Sequence, residues 1–405
     1  MNNFGILYRY ECKKLLGRKI VWISFSLGVI ILVISLFAPF LGDYYIDGKF
    51  IDTNYNMYQT DKEYAMELNS REINQSLLEE TIAAYRKIPE ALGTQHYTAT
   101  EEYQQYARPY SEIFRFICRI SGMPTSEAML SWQPSEDDLY ARRQVWLTSI
   151  WDELRLSKGE TDFWKEREEQ IKTPYVYQEY NGYSTIISSY QTVGLFVLMF
   201  LAICLSGMFS EEHTRKTDQI ILSSPIGKTG LYWAKITAGI SFAAVSTTLF
   251  FAFSFVSTIC LYGAGGFQTA FQLIYGSSSD PVTCGQAVII AYGNMLITAV
   301  VISVFVMALS ELLHSNIAAL AVSTGLLIMP MIVTVPQQYR ALAQIWDWLP
   351  WCFLAPWNVF GKYTISVLGH YFTPWQAVPV IYSASGVIIA AIGKPIYQRF
   401  QISGR

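Results

Sequence analysis

Six stretches of this chain, at 20–41, 185–209, 236–262, 282–310, 317–335 and 375–392, contain no Asp, Glu, Lys or Arg. Each is close to, or longer than, the roughly 20 apolar residues that an α-helix needs to cross a hydrocarbon core about 30 Å thick. One such run could be a buried helix of a soluble protein, but six together are not explained that way. Lipid offers no partner for open backbone, so these runs are expected to be helices. The expected fold is an all-α polytopic membrane protein with six transmembrane helices. Composition agrees, with 52% apolar and 15% charged residues, against about 25% charged in a typical globular domain.

Charge divides the chain in two. Residues 41–185 hold 15 Lys/Arg against 25 Asp/Glu, whereas the remaining residues hold 14 against 7. Within this acidic block, residues 42–184 read as a folded, mostly helical domain between the first and second spans. Leu78, Ile82 and Tyr85 form one apolar helical stripe, and Leu147, Ile150 and Leu154 form another. Low-complexity runs are absent, so disorder is not expected.

The basic residues set the orientation. Arg9, Lys13, Lys14, Arg18 and Lys19 precede the first window; Arg215, Lys216, Lys228 and Lys235 lie between the second and third; Lys394, Arg399 and Arg405 follow the last. The 263–281 connection has no basic residue, and 336–374 has only Arg340 and Lys362. Both termini and the 210–235 connection are therefore expected in the cytoplasm of a multi-pass plasma-membrane protein. The 42–184 domain and the 336–374 stretch are expected outside. Residues 1–19 read as an interfacial helix with Phe4, Tyr8, Cys12 and Leu15 on one face. The stretch 336–374, broken by prolines among its tryptophans, reads as short helices dipping into the outer leaflet. Residues 393–405 form a basic tail.

Residues 227–229 read Gly-Lys-Thr, the end of a phosphate-binding loop. The complete loop is G-x-x-x-x-G-K-[ST] between a strand and a helix, with glycines that let the backbone approach the phosphates. Here Leu222 stands where the first glycine belongs, and spanning windows flank the triplet. No nucleotide site, no cofactor and no catalysis by this chain alone are expected.

The segment beginning at 209, FSEEHTRKTDQIILSSPIGKTGLYWAKI, mixes charge with apolar residues, and Pro225 should break any helix reaching it. A short amphipathic helix across the inner end of the bundle fits this pattern. Phe209, Glu212, Lys216, Thr217, Leu222, Ser224, Pro225 and Ile226 follow F-x-x-E-x-x-x-[GK]-T-x-x-x-x-L-x-S-P-[IL]. This run resembles the hallmark between spans two and three of the membrane subunits of ABC-2-type exporters. Lys235 resembles the Gly-Lys pair that opens span three in that family, with Ala234 in place of the glycine. The resemblance covers the membrane part and leaves out 43–184.

The resemblance implies a division of labour. A separate cytoplasmic ABC ATPase subunit would bind and hydrolyse ATP, and two membrane subunits, identical or different, would pair in the lipid. Glu211, Glu212, Arg215 and Lys216 would supply ion pairs at the joint with the ATPase, and Ile220 and Leu222 an apolar plug. With Thr217, Ser224 and Pro225 they make up the expected coupling site.

His96, His213, His314 and His370 lie in different segments without metal-ligand spacing, so no metal site is expected. Charge-free spans also disfavour an ion or proton relay, and nothing points to a nucleic-acid partner. They suit an exporter of amphipathic or peptide-like cargo. The competing reading is a sensor or assembly protein whose ligand-binding ectodomain signals without transport.

Overall fold

A computed structural model describes residues 3–46, 49–88, 98, 100–123, 130–214, 225–336 and 338–399. The chain divides into two compact units. The first comprises Met1–Val33, Ile187–Val256 and Ile290–Arg405; the second comprises Ile34–Ile186 and Ser257–Ile289.

Helices α1 (Asn3–Leu16) and α2 (Lys19–Phe37) open the chain. An antiparallel hairpin follows, β1 (Asp43–Ile46) with β2 (Lys49–Thr53). Helices α3 (Asn54–Glu67), α4 (Gln75–Tyr85), α5 (Ser111–Ile120), α6 (Leu139–Glu153) and α7 (Lys158–Glu169) come next. Their starts are written in the sequence. Thr53, Asn74, Asp138 and Ser157 each accept a backbone N–H of the first turn, and Ser157 forms a reciprocal capping box with Glu160.

Helix α8 (Asn181–Leu205) leads to the short α9 (Ser210–Thr214), and α10 (Pro225–Tyr262) and α11 (Cys284–Leu313) are long and apolar. Helix α12 (Asn316–Ile332) is capped by Ser315. The short α13 (Arg340–Asp347), α14 (Pro350–Phe353) and α15 (Pro356–Val359) precede a second hairpin, β3 (Ile365–Val367) with β4 (His370–Phe372), and then α16 (Pro374–Arg399).

One expectation changes in detail. Five helices among the described residues are long and apolar enough to cross a membrane: Lys19–Phe40, Asn181–Thr214, Thr229–Tyr262, Cys284–Leu313 and Pro374–Gln398. The window at 317–335 yields only the 17-residue α12, which carries Pro330 near its end and gives way to extended backbone at Val333. The fold is mostly helical, as expected for an all-α membrane protein, with two short two-stranded hairpins beside the helices. The second hairpin turns through Leu368 and Gly369, both at positive φ (52° and 84°), a backbone that a two-residue primed turn requires.

The second unit has a true core. Leu78, Ile82 and Tyr85 of α4, Phe116 and Ile117 of α5, Trp132 and Tyr175 are all buried, and the Tyr85 and Phe114 rings stack at 3.6 Å. A smaller cluster joins Leu147 and Trp151 of α6 to Trp164 of α7. The connection after α10 belongs to this unit. Buried Arg143 pairs with Glu168 and donates to the carbonyls of Gly276 and Ser278, while Arg167 pairs with Asp280 at 2.8 Å.

Candidate functional site at the elbow after α8

All of the following residues belong to the first unit. Helix α8 ends at Leu205, which leaves its last carbonyls without intrahelical partners. Arg18, between α1 and α2, supplies them: it donates to the carbonyls of Cys204 and Gly207, both at 3.2 Å, and pairs with Glu211 at 2.9 Å. A guanidinium is suited to this, having several donors in a fixed fork and a charge that complements a helix C-terminus. Gly207 sits close under this pair, since a Cβ there would stand 3.2 Å from Glu211 Oε1.

Deeper in, four charges neutralise one another. Lys235 of α10 is fully buried; its ammonium donates to Glu212 Oε1 at 2.7 Å, Glu11 Oε2 at 3.1 Å and the Met208 carbonyl at 3.1 Å. Lys14 of α1 reaches the same Glu212 oxygen at 2.9 Å. Burial pulls the Lys14 ammonium down, but the Glu212 carboxylate more than offsets this and holds it above its ordinary value. Two lysines thus face two glutamates. An ammonium removed from water survives only when its donors are used and its charge is matched, and here both conditions hold.

Packing around the group is dense and aromatic. The Lys235 ammonium lies 5.6 Å from the Phe209 ring centre, and Phe209, Tyr232 and Tyr397 pack on one another. Tyr232 donates to the Ala390 carbonyl at 2.6 Å, and Ser310 Oγ accepts from the backbone N–H groups of Phe209 and Ser210. Tyr8 of α1 donates to Ser241 at 3.0 Å. The arrangement fastens α1, the end of α8, and α10 into one joint. Chemically it is a closed electrostatic clasp.

The sequence motif divides across this joint. Phe209 and Glu212 are buried in it, and Glu212 is engaged within the chain rather than presented at the surface. Glu211 is half-buried and holds Arg18. Pro225 opens α10. Arg215, Lys216, Thr217, Ile220, Leu222 and Ser224 lie outside the described residues. The Gly-Lys-Thr triplet at 227–229 falls in the first turns of α10, a helix rather than a loop wrapped around phosphate.

A family model described as ABC-2 family transporter protein matches residues 6–342. The chain belongs to the ABC-2 transporter family. A comparison with curated proteins gave no match. The matched span of this ABC-2 transporter begins inside α1 and takes in Glu11, Lys14, Arg18, Glu211, Glu212 and Lys235, so the charged residues of the joint are part of what the family model covers.

Sequence reading takes Lys14 and Arg18 only as charges that set orientation, and it misses Glu11 altogether. Its one signal is position: Tyr8, Glu11 and Leu15 share a helical face, so an acidic residue stands in the apolar stripe of α1 of this ABC-2 transporter.

Proposed function

We propose that this chain is the transmembrane subunit of an ABC-type exporter, moving an amphipathic or peptide-like substrate with ATP hydrolysed by a separate subunit. The four-charge clasp carries the reading. It fixes residues on both sides of the 215–224 segment, Glu212 before it and Lys235 after it. A segment anchored at each end by buried ion pairs can transmit force, whereas a free loop would absorb it. Residues 215–224 are then the docking piece for the ATPase, with Lys216 and Leu222 as its polar and apolar contacts. A second membrane subunit completes the pathway, both termini lie in the cytoplasm, and the acidic domain lies outside. In this reading α12 and the extended residues just after it make the remaining crossing, and 336–374 lies outside.

Co-expression with ABC ATPases tests the proposal. The tagged chain should retain its ATPase through purification, and Leu222→Asp should release it without changing the elution profile of the chain alone. Ser224→Cys should react with impermeant thiol reagents only from the cytoplasmic side. If no ATPase is retained, or Ser224→Cys is labelled from outside the cell, the exporter reading fails and the sensor reading gains.

A further inference from the structure

Two of the four histidines converge on one carboxylate. His213 closes on Glu311 with its Nε2 3.1 Å from Glu311 Oε2, although the residues are 98 apart in sequence. His314 follows α11 by one residue, and Glu311-Leu-Leu-His314 places its ring one turn beyond Glu311. One ligand atom from each of His213, Glu311 and His314 lies within 4.8 Å of the others, and the two imidazoles meet edge to face at 4.4 Å.

The carboxylate is the informative member. Glu311 is 2% exposed, and its second oxygen, Oε1, is buried without a hydrogen-bond partner. Such an oxygen is costly unless something positive meets it. The Lys235 clasp does not supply this, because its donors go to Glu11, Glu212 and Met208. Glu212 and His213, adjacent in α9, thus serve two different groups.

We propose that His213, Glu311 and His314 bind one divalent transition-metal ion of the zinc type. Two imidazoles and a carboxylate are the donor set of three-ligand zinc sites, with water as the fourth ligand. Calcium and magnesium would call for a shell of oxygens, which the two nitrogens do not provide. Neighbouring ligands of a tetrahedral zinc ion are about 3.3 Å apart, from bond lengths of about 2.0–2.1 Å, and His213 and Glu311 already meet that spacing. Closure falls to His314, whose ring is exposed and provides the route in. The ion would discharge Glu311 and tie α9, immediately before the 215–224 segment, to the end of α11. This site stands independently of the exporter reading.

The test uses the full-length chain in detergent, with any polyhistidine tag removed and metals stripped by chelator. Zinc titration calorimetry should give one ion per chain, and cobalt should give the intense visible bands of a tetrahedral N/O site. His314→Ala, which removes the exposed ligand, should weaken zinc binding by more than about a hundredfold, beyond the roughly 10–100-fold that loss of a supporting contact costs. Glu311→Gln should do the same, and His370→Ala should not. Absence of stoichiometric zinc binding overturns the proposal. So does unchanged affinity in His314→Ala and Glu311→Gln, or a preference for magnesium. None of these outcomes depends on an ATPase or on transport.

Discussion

The Lys235 ammonium lies 2.7 Å from Glu212 Oε1, and no part of Lys235 is open to solvent. Neither residue is stable there alone. Together with Glu11 and Lys14 they form a neutral group that holds α1, α9 and α10 at one point.

Breaking that group on one side should be expensive. Glu212→Ala leaves Lys235 with Glu11 as its one carboxylate and removes the acceptor of Lys14, so the group carries one uncompensated positive charge, for an expected loss of about 3–5 kcal/mol. Lys235→Met leaves Glu212 paired with Lys14 but takes away the ammonium that Glu11 faces, and it should cost a similar amount. The double variant should lose less than the sum, because the residues share one network. Unfolding of the purified chain in detergent measures all three; a loss well below 1 kcal/mol for Glu212→Ala would mean that the clasp does not hold.

Arg18 closes the end of α8. Arg18→Ala should cost roughly 1.5–3 kcal/mol, the usual scale for hydrogen bonds to a charged group. Arg18→Lys keeps the charge but cannot span the Cys204 and Gly207 carbonyls as a fork, so it should recover only part of the loss. Hydrogen exchange should report this locally, with faster exchange in the last turn of α8 and little change in α11.

Asp347, at the end of α13, has its carboxyl pushed up to about 6 by burial. Its folded value lies above its unfolded one, so the folded chain holds the proton over a window in which the unfolded chain has lost it. This contribution favours the fold below about pH 4 and disappears as the pH rises through about 6. Asp347→Asn should therefore raise Tm at pH 7 and flatten its fall between pH 4 and 6. Tm measured against pH for both proteins checks the sign.

Much of the architecture is legible because membrane helices are read from the absence of charge, which is a local property. Five of the windows become long helices; the sixth yields a 17-residue helix that runs through Pro330 and stops at Ile332. The stripe Leu78, Ile82, Tyr85 leads straight into the core of the second unit. The first hairpin had a signal in Asp47-Gly48, a common turn pair. The second had a weaker one, since Leu368 is a poor choice for positive φ. The candidate site is harder to read. Phe209 and Glu212 stood out through a motif, but Glu11 is an ordinary charged residue until Lys235 is beside it. The Arg143 contacts at 276 and 278, and the meeting of His213 with Glu311, likewise depend on residues far apart in the chain.

Glu11 and Lys235 are separated by 224 positions. At ribosomal rates of about 5–20 residues per second, the glutamate waits on the order of ten seconds or more for its ammonium. Until then α1 cannot settle at its final depth without stranding an anion. A helix made before α10 thus docks only after it, and the seating of α1 records that α10 has arrived.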